Sequence, residues 1–450
     1  MRLPQGIEDD TDVRTALRWL AEISGNAVGF GRRLRAAQQA YIDYTGAAGD
    51  FGRNPALSAL GADVVASFLA QSQSLLDCRR SFDQALASRC VPWIKQIGVN
   101  VEALANVPGA EQRARRMLQD AASEPDGPML ELVMAGNYAA DGEDVAFIPE
   151  QPGQAKTPDI HLTVDGRSER VAVEFKRLRA GQYEADEREL QRRIFRRAAE
   201  IIDRRKLSLS IDVNYSVELK DVPETYLSDW VLRFLSSPLF TPGHYPWRDE
   251  FGSGEIRQAN VQAVLEDIAD SSLYFGTKLA RLLSGNPVRD NGYNLAVGLV
   301  PDNRDPRFFQ DFRYGSVVTW QCTAPVAIER KARHVKTKLA EAGRQVATQK
   351  VGVIHLAMDI ELGCESSDLR RQRNKEVITE FRAESMVAAL YVHYLVPRIS
   401  ESHSWLVDET CDKFGHDGDP PTMMIFPGSE VLGNDLPAWQ QTLPIPSVLS

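Results

Sequence analysis

The stretch from Lys156 to Leu178, KTPDIHLTVDGRSERVAVEFKRL, constrains the fold more than any other part of the chain. Two short runs that alternate apolar and polar residues flank Asp165-Gly166, a pair that favours the left-handed backbone of a tight hairpin turn. Side chains alternate faces along a strand. Ile160, Leu162 and Val164 therefore share one face of the first strand, and Val171, Val173 and Phe175 share one face of the second. The opposite face carries Asp159, His161 and Thr163, together with Ala172, Glu174 and Lys176. A two-residue turn pairs Ile160 with Val171 and Asp159 with Ala172. Glu174 then lies diagonally across from Asp159, roughly 7–8 Å away, with the carboxylates closer than the backbones.

Two carboxylates at that separation suit a hard divalent cation such as Mg²⁺, which keeps several waters and takes few protein oxygens. Such an ion lowers the pKa of a bound water and offsets charge on a phosphoryl oxygen. Lys176 points into the same space, where an ammonium can orient water or stabilise a crowded anionic transition state. The residue types thus suit phosphodiester hydrolysis. They also suit an ordinary hairpin with a solvated charged face.

Pro158-Asp159, fourteen residues, then Glu174-Phe175-Lys176 resembles the PD-(D/E)XK nuclease superfamily, the restriction-endonuclease-like fold. The resemblance implies an αβββαβ core. A helix near Pro128–Ala135, a strand near Val145–Pro149, the hairpin, a helix over about Glu184–Lys206 and a strand at Leu207–Val217 follow that order. It further implies Asp159, Glu174 and the Phe175 carbonyl as metal ligands for Mg²⁺, with Mn²⁺ as a substitute. Lys176 would be the catalytic lysine, and Glu131 the acid that many members carry on the first helix. Gln191 and Phe195 only loosely resemble the Gln-xxx-Tyr element of RecB-like members, because the aromatic differs.

The helix after the hairpin carries eleven Lys or Arg against six Asp or Glu between Lys176 and Lys206. Arg192, Arg193, Arg196 and Arg197 read as a rail for a phosphate backbone, or equally as a solvated face with i, i+4 ion pairs. A local rail is needed because the chain as a whole is acidic, at −10, and offers no global field for nucleic acid.

With 450 residues, the chain is long enough for two or three cores. The expected fold class is α/β (α+β mixed). A helical bundle over 1–125 precedes the nuclease core at 126–218. A helical insertion follows at 219–290, then a C-terminal α/β region at 291–450 whose strands either extend the nuclease sheet or form a separate domain. In the first region, apolar periodicity predicts helices over Asp12–Ile23 and Ala27–Tyr44. A longer one is expected over Ala56–Ser88, with Pro92 ending it or starting the next. Arg32, Arg33 and Arg35 read as a solvated face. In the insertion, Phe240, Tyr245, Trp247 and Phe251 fall in an expected loop. Later strands are expected at Asn294–Val300, Ser316–Cys322, Val351–Ile360, Val387–Val396 and Met423–Phe426. Between them, the basic helix Ala327–Ala347 is a candidate second wall of a nucleic-acid groove. Asp359 and Glu361 read as a plain strand end. His403, Cys411 and His416 lack the paired spacing of a zinc site.

Five scattered cysteines suit reduced thiols in a cytoplasmic protein. The acidic N-terminus has no signal-peptide core, and no apolar run reaches bilayer length. The expected function is a Mg²⁺-dependent endonuclease acting on DNA, in a setting such as prokaryotic antiviral defence or repair. A catalytically silent nucleic-acid-binding protein is one alternative. Another is an assembly protein that forms homo-oligomers or binds a partner protein through its N-terminal helices.

Overall fold

The computed structural model describes residues 10–47, 63–77, 81–82, 84–119, 125–149, 156–163, 170–178, 181–237, 244–270, 278–286, 292–301, 309–347, 351–359, 365–383, 387–398, 406–415 and 423–427. The fold is mixed α/β, as the alternation of patterns predicts, and is built on two sheets.

The N-terminal helices are α1 (Thr11–Ile23), α2 (Ala27–Ala47), α3 (Val64–Asp77), α4 (Gln84–Val99), α5 (Val101–Leu104) and α6 (Ala110–Gln119). Asp10 caps α1 by accepting the Val13 amide, and Val13, Leu17 and Leu20 form its buried stripe. Of the expected helix over Ala56–Ser88, the described residues form α3 and the start of α4, and Pro92 lies inside α4; residues 56–62, 78–80 and 83 lie outside the described residues. Arg33 is drawn inward by Asp63 and by the Leu118 carbonyl, so it is not part of a solvated face.

Helix α7 (Asp126–Ala140) is the centre of the first core: every residue from Met129 to Tyr138 is buried. A helix apolar all round must be enclosed on all sides. The N-terminal helices therefore do not form a separate bundle. They share one core with α7 and with the apolar face of the first sheet. Gly136 permits this approach, because a Cβ there would lie 2.9 Å from the Asn100 Cβ.

That first sheet has the order β1 (Asp144–Phe147), β2 (Ile160–Thr163), β3 (Arg170–Leu178), β9 (Val351–Asp359), β10 (Val387–Arg398) and β11 (Leu406–Gly415). The β2–β3 ladder pairs Ile160 with Val173 and Leu162 with Val171. This is two residues away from the expected register. A slip of two keeps every side chain on its face, so the predicted facing survives. The turn at Asp165-Gly166 lies outside the described residues.

The second sheet has the order β5 (Tyr245–Arg248), β6 (Gly252–Gln258), β4 (Leu209–Tyr215), β8 (Phe309–Cys322) and β7 (Tyr293–Pro301). This corrects the expectation that Leu207–Val217 closes the nuclease core. The strand forms, but it pairs with β6 and β8 and not beside β3. Alternating Leu209, Ile211, Val213 and Tyr215 specify a strand with one buried face, not a neighbour. Helix α8 (Gln182–Arg205) goes with it, burying Ile194, Phe195 and Ala198 against β4. So do α9 (Tyr226–Ser236), α10 (Val261–Asp270) and α11 (Lys278–Ser284), which cover the two faces of this sheet. The expected irregular centre of the insertion thus contains two strands. Trp247 and Tyr245 pack against Trp230 and Phe234.

The chain returns to the first sheet through α12 (Pro325–Val346) into β9, then α13 (Glu365–Ala383) into β10. Both strands run parallel to β3, and both helices cover the face opposite α7. Of the two options for the C-terminal region, its strands extend the sheet of the hairpin. The helix-strand unit that follows β3 within that sheet is α12–β9. Met423–Phe426 is not a strand. Its chain is held by Asn137, which donates to the Met424 and Ile425 carbonyls, and by Glu409, which accepts the Ile425 and Phe426 amides.

Glu409 also ends a buried chain of hydrogen bonds. Its Oε1 lies 2.6 Å from His393 Nδ1, His393 Nε2 lies 2.9 Å from His355 Nδ1, and His355 Nε2 lies 2.8 Å from the Tyr138 hydroxyl. Burial disfavours an imidazolium at His393, but the Cys411 sulfur and the Glu409 carboxylate outweigh it and raise its pKa to about 10. At His355 burial dominates and keeps the ring neutral. The chain ties the far edge of the sheet to α7, and so to the helix that carries Glu131. Glu409→Ala would leave a buried imidazolium and two amides without an acceptor. Urea unfolding should show a loss of about 3–5 kcal/mol. A loss below about 1 kcal/mol, the value of one ordinary hydrogen bond, would contradict this role.

Candidate active site

The Asp159 amide donates to the Val173 carbonyl at 3.1 Å, just before the ladder begins at Ile160–Val173, and this holds Asp159 beside β3. Asp159 Oδ2 accepts the Phe175 amide at 2.8 Å, so the carboxylate is fixed against β3. Glu174 points to the same side from the middle of β3, with its side chain only 1% exposed. Its Oε1 accepts the Lys176 ammonium, while its Oε2 is buried and has no hydrogen-bond partner. Lys176 also donates to Gln345 Oε1 at 2.8 Å, and Gln345 Nε2 donates to the Thr157 carbonyl at 3.0 Å. Thus α12 braces the lysine against the chain that leads into β2. Glu131 approaches from α7 and pairs with the Arg113 guanidinium of α6, whose Nη2 also lies 3.6 Å from Asp159 Oδ1.

Three acids therefore share a low-dielectric space with two cations. Burial pushes the Glu174 carboxyl up, and the Asp159 charge adds to this. Lys176 opposes both, and the result is a pKa of about 8. Glu131 is pushed well above the usual carboxylate range, first by burial and then by the Asp159 charge, with Arg113 opposing. Raised carboxyl pKa values with named charge partners mark functional-site candidates.

The hard oxygen donors fit a hard cation. Asp159 and Glu174 offer carboxylates, and Glu174 Oε2 is an acceptor with nothing to accept. Each acid is nonetheless turned to a donor of the chain itself: Glu131 to Arg113, Glu174 to Lys176, and Asp159 to the Phe175 amide. In keeping with this, no group of three or more His, Cys, Asp and Glu side chains is set as a ready metal cage among the described residues.

Of the residues singled out in the sequence, Asp159, Glu174, Lys176 and Glu131 are brought together. Phe175 takes part through its amide. His161 lies on the same face, half-buried, with its pKa lowered chiefly by burial and with Nε2 unpartnered. Arg192, Arg193, Arg196 and Arg197 are exposed on α8, which packs on the second sheet, and Glu189 pairs with the first two. Gln191 is buried between Asn294 and the Tyr215 hydroxyl. The basic residues of α12 are engaged by acids: Arg330 by Glu218, Lys331 by Glu187 and Arg333 by Glu329. Asp359 pairs with Arg177. Cys411 lies within β11, while His403, His416 and Glu361 fall outside the described residues. Among the described residues, no helix is long and apolar enough to cross a membrane.

Sequence reasoning missed Arg113 and Gln345. Arg113 sits in AEQRARRMLQ, whose pattern reads as one more amphipathic helix. Gln345 is 169 residues from the lysine it braces, and nothing local to either residue marks the contact.

Because Glu174 titrates near 8 in the folded chain and near 4.5 otherwise, the folded state holds the extra proton between those values. Stability is then greatest at and below the lower pH and falls as pH rises through the upper one, at a slope of up to about 1.4 kcal/mol per pH unit. Urea unfolding from pH 5 to 8.5 should show this decline, and Glu174→Gln should flatten it; an equal slope in that variant would refute the assignment. Compared with known proteins, the chain matches no family model, no curated protein and no solved structure.

Proposed function

We propose that the chain is a Mg²⁺-dependent nuclease that hydrolyses phosphodiester bonds, most readily in DNA. The observation that carries this reading is the Glu174 carboxylate. It is buried beside Asp159, with one oxygen unpartnered and a lysine two residues along on the same face. A structural ion pair has no need of a second carboxylate that raises its own energy. A site that must collect positive charge does.

In this reading Asp159 and Glu174 would hold the cation. When bound, Mg²⁺ would lower the pKa of a water and offset charge on the phosphoryl oxygens. The amide of Phe175 fixes the Asp159 carboxylate against β3, so the acid needs little further ordering. Glu174 gives up the proton it holds below about pH 8, which favours activity on the alkaline side. Lys176, released from Glu174 and still held by Gln345, points its ammonium at the space between the acids. There it can orient the attacking water and donate to the developing oxyanion. Glu131 positions Arg113, whose guanidinium offsets the charge on Asp159.

A second reading is a nucleic-acid-binding protein of the same form without turnover. It is favoured by the way each acid is already turned to a donor of the chain. Plasmid and linear DNA incubated with Mg²⁺ separate the two. The nuclease reading predicts cleavage that EDTA abolishes and that Asp159→Ala or Lys176→Ala reduces at least about 100-fold, with circular dichroism unchanged. Cleavage by Asp159→Ala at the parental rate would remove the site from the account. A salt-sensitive mobility shift without cleavage would support the second reading.

A further inference from the structure

A small open cleft with a cavity volume of about 50 Å³ lies against Asp159. One wall is α6, through Gln112, Arg113 and Arg116, and the other is the approach to β2, through Thr157, Pro158 and Asp159. Arg116 is exposed, and Arg113 reaches from the pocket wall to Glu131 and Asp159. Two arginines one helical turn apart thus line a cleft that a carboxylate of the proposed catalytic pair also lines.

We propose that Arg113 is an exchangeable cation and that, with Arg116, it forms the phosphate subsite of the nuclease. The inference rests on the nuclease reading. In the metal-free chain Arg113 neutralises Glu131 and Asp159. A divalent cation drawn to Asp159 and Glu174 brings two positive charges to the place that one now serves. Like charges in a low-dielectric space repel, so the guanidinium is displaced toward the pocket on which it already borders. There it finds its preferred alternative partner, a phosphate that accepts two parallel N–H bonds. The exchange links the two binding events: metal without phosphate leaves Arg113 with a weaker partner, and phosphate without metal meets an arginine already engaged. The substrate is therefore a phosphodiester whose phosphate next to the scissile one sits between Arg113 and Arg116. The helices before the nuclease core supply this part of the site.

The test uses the full chain, Ca²⁺ in place of Mg²⁺, and a fluorescein-labelled DNA duplex of twelve base pairs. Arg113→Gln and Arg116→Gln should each weaken duplex binding about 5- to 50-fold and lower the slope of log affinity against log salt by about one. Titration calorimetry with Mn²⁺ alone should show equal or tighter metal binding by Arg113→Gln, since a competing cation is gone. Arg113→Lys should restore part of the metal competition but not the duplex affinity. Unchanged duplex binding in both Gln variants, with parental protein that still cleaves DNA, would overturn the subsite and leave the nuclease reading standing. Weaker Mn²⁺ binding by Arg113→Gln would overturn the exchange. Parental protein that neither binds the duplex nor cleaves DNA would sink both.

Discussion

A carboxylate kept from water with one oxygen unsatisfied is costly, and Glu174 is such a group. The strand that carries it has a parallel neighbour on one side and an antiparallel one on the other, so its backbone has little freedom to turn the side chain away. On one face Val171, Val173 and Phe175 are locked into the core around α7. On the other, Leu178 is locked into the core under α12. Glu174 lies on a strand that two hydrophobic cores hold in register. The cores supply the free energy that tolerates the buried carboxyl and its unsatisfied oxygen.

The same constraint accounts for the elements around the site. Helix α7, buried on every side from Met129 to Tyr138, is held between the N-terminal helices and the sheet, and so delivers Glu131 to a fixed place. Asn137 and Tyr138 on that helix engage the 423–427 segment and the His355–His393–Glu409 chain. Residues far from the acids thereby fix the helix that bears one of them. On the opposite face, α12 supplies Gln345, which positions Lys176. The second sheet stands apart from this arrangement. It has its own cores, and its arginines on α8 do not join the acids.

Local chemistry was legible in the sequence, and the long-range arrangement was not. Alternation placed Asp159, Glu174 and Lys176 on one face without any knowledge of partners, because the strand period of two fixes facing even when the register is off by two. Glu131 was picked out by the family resemblance and not by the pattern of its helix. The neighbour of β3 was not legible, because Leu209–Tyr215 and Val351–Asp359 carry similar apolar patterns and only tertiary packing decides which joins the sheet. Charge-rich helices misled for a related reason. The basic residues of α12 and α8 look like a rail in one dimension, and in three many of them face acids from other segments or from their own turn. Arg113 could not be distinguished from its neighbours Arg115 and Arg116 by spacing alone.

The most direct test of the central claim is calorimetry of Mg²⁺ binding at pH 7 in two buffers of different ionisation enthalpy. If a proton-bearing Glu174 is a ligand, each cation bound releases about one proton, and the release vanishes as pH is raised well above 8. Binding heat that is independent of buffer, or no binding at millimolar Mg²⁺, would contradict the account.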